Sequence, residues 1–270
     1  MCGKYIPSFE KKVAAEKRSF SAVRPGTMTR MTTTGARVRA AVRNNVQWCA
    51  TMCRAHGLGS GTLGDRAWTH PLRTPPYYPD AVTLAPDAAP HDVLPGIDRS
   101  TPGCSVKDSY ATLDLSGHGF TPLFEAHWIH RPPGAPAPRP ADATPWQPVR
   151  SATALAAWEA ARSGRAEPPG LFRPALLTDP ATTVLAARAP DGSIVAGAVA
   201  TRSAAPGAAR GVVGVSNVFG TDPWPGCLAA LTRRWPGTPV VGYEHGDDLT
   251  AALRHGFTTT GTLRVWVLAG

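Results

Sequence analysis

Hydrophobic and polar positions follow three different rhythms along this chain. Between residues 37 and 56, Val38, Val42, Val46, Cys49 and Cys53 recur at steps of three and four, while Arg39, Arg43, Gln47 and Arg54 fall elsewhere. That spacing predicts a helix with one buried face, ended by Gly57. Cys49 and Cys53 are core residues on this reading, because two sulfurs without further ligands nearby make no zinc site. Residues 211–219 are apolar nearly throughout and predict a strand covered on both faces. Asp222-Pro223 reads as an N-cap acid followed by a first-turn proline, opening a helix that Pro236-Gly237 stops. Residues 238–244 predict a second buried strand. Asp247 caps a second helix that ends at Gly256, and 262–268 close the chain as a strand.

Upstream of this block, Ser151 caps a helix with Leu155 and Trp158 inward, ended by Gly164. Residues 182–187 and 193–201 predict two strands joined at Pro190-Asp191-Gly192, a hairpin signal. A short strand at 81–84, a short helix running into a strand at 104–115 and a strand at 123–129 are expected further forward. Strands that alternate with helices after a hairpin argue for an α/β protein, α+β in its mixed sheet. Residues 68–80 are irregular, and their four prolines hold them extended. Their aromatics Trp68, Tyr77 and Tyr78 either line a substrate groove or cap a core. Lys107-Asp108 reads as an ion pair or a polar site, the solvated pair being favoured.

At 270 residues and 43% hydrophobic, the chain has room for one large or two ordinary domains. Seven prolines between 131 and 148 mark an extended spacer, dividing an amino-terminal α/β domain at 35–131 and a linker at 132–148 from a second domain at 149–270. The net charge of +9 points to nucleic acid only until it is located. Residues 1–30 hold seven Lys/Arg against two Glu, and four of the five lysines lie there, Lys107 being the exception. The tail is thus foreign in composition to the body. It is expected to be disordered, or to precede a native start at Met28 or Met31. It lacks the apolar core of a secretory signal, and no run is long enough to cross a membrane. Five scattered cysteines read as reduced thiols in a cytoplasmic protein.

The carboxyl-terminal order resembles the general N-acetyltransferase superfamily, the GNAT fold, over about 145–270. Ser216-Asn217-Val218 sits where members carry an Asn-Val pair on the strand that receives acetyl-CoA. Gly256-Phe257 closes a helix as the family's Gly-Phe does, and 261–266 is placed like its closing strand. Gly119-Phe120 to Trp128 echoes Gly256-Phe257 to Trp266, one residue shorter, so the first domain reads as a smaller, degenerate copy of the same fold. The turn after the acceptor strand departs from the family. Members have a basic, glycine-rich turn whose N–H groups hold the CoA pyrophosphate. Here the turn is Gly220-Thr-Asp-Pro-Trp-Pro-Gly226, with an acid, no base, and two prolines that lack N–H donors.

The resemblance implies an acyl-CoA-dependent N-acyltransferase, with acetyl-CoA as co-substrate and a small-molecule or protein amine as acceptor. Its fourth and fifth strands splay to seat the cofactor's amide arm; here those are 211–219 and 238–244. Asn217, Val218, Phe219, Gly220 and Gly226 would then meet the cofactor, with Gly214 and Gly242 allowing close backbone approach. The family's tyrosine, four residues before its Gly-Phe glycine, is replaced by Ala252. Tyr243, Glu244 and His245 are the substitutes: Glu244 as base through water, Tyr243 or His245 as acid. The plainer alternative makes Tyr243 core, Glu244 an arginine's partner and His245 a turn residue. Arg264 either pairs with Glu244 or binds an anionic ligand. Two further classes compete with the enzyme. One is a non-catalytic GNAT-like binding module that has lost CoA affinity. The other, least favoured, is nucleic-acid binding through the basic tail, which predicts strongly salt-dependent affinity.

Overall fold

Helix α1 (Met28–Ala55) forms where the three-and-four spacing places Val38, Val42, Val46, Cys49 and Cys53 on one side, and Gly57 follows it at a positive φ of 75°. The computed structural model describes residues 28–136, 144–167, 169–204 and 211–270, with side chains from 34 onward. The expectations for the tail before residue 28, and for the linker at 137–143, lie outside the described residues.

After α1 come β1 (Thr62–Leu63), β2 (Ala67–Thr69), β3 (Ala81–Thr83), α2 (Pro90–Val93), β4 (Ser105–Asp108) and β5 (Phe120–Arg131). The second segment contributes β6 (Trp146–Pro148), α3 (Ala152–Ser163), β7 (Thr182–Arg188), β8 (Ile194–Ser203), β9 (Val212–Gly220), α4 (Trp224–Arg234), β10 (Val240–Glu244), α5 (Gly246–Arg254) and β11 (Thr258–Leu268). Among the described residues these strands make one sheet in the order β1-β2-β3-β4-β11-β5-β10-β9-β8-β7-β6. β3–β4 and β9–β10 are parallel and the remaining pairs antiparallel, so the sheet is mixed as expected. The parallel β9–β10 pair follows from the α4 crossover between them, because a tight hairpin joins only antiparallel strands.

β5, from the amino-terminal segment, lies between β10 and β11 and pairs with both. The two segments therefore share one sheet. The echo between them is visible locally. Gly119 and Gly256 both take positive φ, 82° and 86°, each placing a buried phenylalanine at the start of one of these two neighbouring strands. The sheet separates two cores. On one face α1 packs on Trp128, Val241, Leu263 and Val265. On the other, Leu228 and Leu231 of α4 and Ala252 of α5 pack on Ile129, Val215 and Val240.

Several local expectations are corrected. Residues 104–115 begin as strand β4 rather than a helix. The Asp108 carboxylate accepts from the backbone N–H of Tyr110 at 3.2 Å and of Leu113 at 2.8 Å, which folds the following chain into a turn. Lys107 and Asp108 are no solvated pair, being 3% and 0% exposed; strand alternation turns them to opposite faces, each to its own partners. Asp222 does not cap α4, whose N-cap is Pro223; Asp222 takes a positive φ of 42° and its carboxylate turns to His255 Nε2 at 3.1 Å. Asp247 does not cap α5 either, because Gly246 starts the helix earlier and His245 becomes the N-cap. The Ser151 cap does form, its Oγ accepting from Ala154 N at 3.2 Å.

Candidate functional site

β9 and β10 are laddered only at their first residues, Val213 opposite Val240 and Gly214 opposite Val241. Beyond these pairs the strands part. β9 stays on β8 as far as Gly220 opposite Ala196, and β10 stays on β5 as far as Glu244 opposite His127. The result is a V whose arms are 215–220 and 242–244. Its cause is a bulge in β9: Ser216 faces Val199 and Phe219 faces Gly197, so β9 carries one residue more than β8 across this step. Asn217 lies in the bulge with a φ of 53°, a left-handed conformation that asparagine tolerates and β-branched residues do not.

The bulge supports a prediction. Asn217→Val is expected to lose about 1–3 kcal/mol of stability, the cost of holding a β-branched residue at this φ. Asn217→Gly is expected to stay within about 0.5 kcal/mol of the parent. Urea unfolding of the three proteins checks this, and equal midpoints for valine and glycine would remove the bulge as the cause of the V.

The face of the V toward α1 is lined by polar groups from both segments. Asn217 Nδ2 donates to Ser216 Oγ at 3.0 Å, and Tyr78 packs among the apolar side chains on the α1 side of the sheet. Burial pushes the Tyr78 phenol well above its ordinary range, with the nearby Cys49 thiol adding to the shift. Tyr78 meets Trp48 of α1 edge-on at 6.0 Å. Tyr243, on the other arm, stands edge-on to Trp128 at 5.6 Å and carries Lys107 Nζ over its ring at 4.1 Å. Lys107 Nζ donates to Asn45 Oδ1 at 2.9 Å. Burial pushes the neighbouring Cys49 thiol up to about 11, against the pull of Lys107, so this sulfur stays protonated.

The other residues expected at the site are placed as follows. Glu244 and His245 close the β10 arm, both half-buried, and the His245 ring lies 5.5 Å from Phe124. Val218 packs toward the α4 and α5 core, whereas Phe219 lies on the opposite face against Trp158 at 5.3 Å. Gly220 takes a φ of 115°, where a Cβ would meet Ala196 Cβ at 2.5 Å. Gly226 is a glycine because the Trp146 indole covers it: a Cβ there would lie 2.1 Å from Nε1. Gly214 serves Asn44 of α1, whose Oδ1 would be 1.6 Å from a Cβ, while Gly242 lets Val215 O approach to 2.9 Å of its Cβ position. Ala252 is fully buried in the α4 and α5 core. Trp68 is in the core of the first segment, donating to Ser60 O at 2.8 Å, Tyr77 is 61% exposed, and Tyr78 packs between the α1-side apolar clusters. Arg264 pairs with Glu125, its register partner on β5, at 2.6 Å and not with Glu244.

The sequence reading missed the convergence of Asn45, Cys49 and Lys107 at Tyr243. The signal was present in Lys107, the body's single lysine, set in a short strand of small and apolar residues. At the start of α4, Pro223 and Pro225 supply no N–H and Asp222 is held by His255, so the loop presents few donors and no base to an anion.

No protein-family model matches the sequence, and no curated protein sequence does. Solved structures with a similar course of chain include a putative acetyltransferase of the GNAT family from Novosphingobium aromaticivorans. It is 14% identical over 85% of this chain and 99% of that one, with a TM-score of 0.48. A GCN5-related N-acetyltransferase from Kribbella flavida is 19% identical over 70% and 81%, with a TM-score of 0.45. The Saccharomyces cerevisiae N-myristoyltransferase with bound myristoyl-CoA is 10% identical over 63% and 52%, with a TM-score of 0.43. These are likenesses of fold.

Proposed function

We propose that the chain is an acyl-CoA-dependent N-acyltransferase of the GNAT type that moves an acetyl group from acetyl-CoA to an amine. The observation that carries the reading is the V between β9 and β10, opened by the bulge at Asn217. A strand edge without a partner strand offers backbone N–H and C=O groups at the spacing of an extended amide chain, which is what the cofactor's pantetheine arm is. On this reading the backbone of Val218 and Phe219 receives the arm and polarises the thioester carbonyl. The acceptor amine attacks that carbonyl carbon, the carbon–sulfur bond breaks, and the sulfur leaves as thiolate. Glu244, near the mouth of the V, takes the amine's proton through water. Tyr243 or His245 gives a proton to the thiolate.

The pyrophosphate end fits less well. Asp222, paired with His255, and the two prolines around Trp224 weaken this helix start as an anion site. They favour a second reading, a binding module on the same fold without CoA affinity. Calorimetric titration of acetyl-CoA into the full chain separates the two. The enzyme predicts a saturable isotherm with a dissociation constant of about 1 µM to 1 mM, the range of ordinary KM values. No heat and no thermal shift at millimolar acetyl-CoA would leave the binding module.

A further inference from the structure

Lys107 is an ammonium 3% exposed, and no carboxylate among the described residues forms an ion pair with it. It stands on β4, held between α1 and the sheet. Its contacts are the Asn45 Oδ1 at 2.9 Å and the face of Tyr243 at 4.1 Å. Asn45 contributes a neutral oxygen, and a tyrosine ring contributes its π-face. An ammonium has three N–H donors, and burying one without a counter-charge costs several kcal/mol. Several other buried or half-buried cations among the described residues meet an acid or a set of carbonyls. Arg73 meets Asp80 at 3.2 Å, Arg264 meets Glu125, and Arg131 is tied down by the backbone carbonyls of His255, Ala135 and Pro136. Lys107 differs from them in facing a ring of the V rather than an acid.

Tyr243 joins this charge to the cleft. It is half-buried and lies on the β10 arm beyond the last β9–β10 pair, so one ring covers the ammonium and borders the V. The remaining polar neighbours on that face, Tyr78, Asn217 and Ser216, are neutral hydrogen-bonding groups. The acceptor side of the V therefore carries one buried positive charge.

We propose that Lys107 is the counter-ion for a carboxylate on the acceptor, and that the acceptor is an amino acid or another amine bearing a carboxylate. The identity of the acceptor as an amine rests on the acyl-transfer reading; the carboxylate site rests on Lys107 alone. A carboxylate reaching the ammonium replaces lost hydration with a charge-assisted hydrogen bond. The amine of the same molecule is then held toward the V.

The test compares amines that differ only in the carboxylate. Glycine, alanine and phenylalanine are titrated into the full chain against methylamine, ethylamine and 2-phenylethylamine. At least one acid is expected to bind about tenfold or more tighter than its decarboxylated partner, the usual worth of a hydrogen bond to a charged group. Lys107→Met, which removes the buried charge and keeps an unbranched side chain one atom shorter, is expected to bring each pair to within about twofold. Asn45→Asp is the second variant. It places a carboxylate beside Lys107 and is expected to erase the same preference with the lysine still present. Circular dichroism shows which variants are folded.

No preference in the parent protein, or a preference that survives in both folded variants, overturns the proposal. A separate acetyl-CoA titration distinguishes the two readings. Acids that bind in a Lys107-dependent way to a protein that ignores acetyl-CoA keep the carboxylate site and remove acyl transfer. Acetyl-CoA binding without any preference for acids does the reverse.

Discussion

Gly214→Ala is expected to destabilise the protein by about 3 kcal/mol or more, the upper part of the range for overpacking a closed site. The added Cβ would lie 1.6 Å from Asn44 Oδ1 and 2.5 Å from its Cγ. Asn44 has no free rotation with which to yield. Its Nδ2 donates to Thr201 O at 2.7 Å and to Ser203 Oγ at 2.9 Å, pinning α1 to β8 beside Gly214. Room for the methyl group comes only from breaking both hydrogen bonds or lifting α1 off the sheet. Asn44→Ala alone loses those bonds and leaves buried acceptors, costing about 1–3 kcal/mol. The double variant has space for both methyl groups, so its loss is expected to fall short of the sum by about 1 kcal/mol or more. Urea unfolding of the four proteins completes the cycle. A Gly214→Ala midpoint indistinguishable from the parent would mean that α1 does not cross β9 here.

Acid is expected to weaken the fold well above the carboxylate range, through His130. This residue lies on β5 between Val241 and Thr258, is 7% exposed, and its Nδ1 meets no hydrogen-bond partner. Burial, aided by the positive charge of Arg37, lowers its pKa from 6.5 to about 4. The folded state thus holds the neutral ring while the unfolded chain takes up a proton from about pH 6.5 downward. The contribution is fully present above 6.5 and is lost as pH falls toward 4. Between pH 7.5 and 4.5 the loss is expected to be about 2–3 kcal/mol. His130→Leu, which keeps an apolar group of similar size, is expected to flatten this window. Asp98, Asp114 and Asp191, whose turn hydrogen bonds to Ser100, Ser116 and Ser193 hold them below the usual range, add losses only at lower pH. A parent protein equally stable at the two pH values would show that His130 is hydrated.

The parts of the fold legible in advance are those where a local rhythm and the final burial agree. The face of α1, the Ser151 cap, the hairpin at Gly192 and strands β7 to β11 all belong here, because each is decided within a few residues by spacing or turn chemistry. The acid caps failed at Asp222 and Asp247 because a cap is a competition. Asp222 had a better partner in His255, and α5 opened at Gly246, two residues early. Arg264 found Glu125 rather than Glu244 because β5, not a neighbour in sequence, lies beside β11. The strands β1 and β2 are too short to carry a period of two.

The candidate site divides in the same way. Asn217 stood out in the sequence through the Asn-Val pair of the family resemblance; that it sits in a bulge came from its register against β8. Tyr78, Lys107 and Asn45 were not readable as its companions. They come from an irregular loop, a short strand and a helix far apart in the sequence.

By itself the sequence determined the longer strands and helices, which side of each is apolar, and that a mixed sheet results, because these depend on neighbours within about one turn or one hairpin. Tertiary structure alone decided that β5 from the first segment is inserted between β10 and β11, and that β9 and β10 part after two pairs. It alone brought a buried lysine under the ring that borders their opening. Strand order and charge pairing across such distances depend on which surfaces close over one another, and no local pattern encodes the partner.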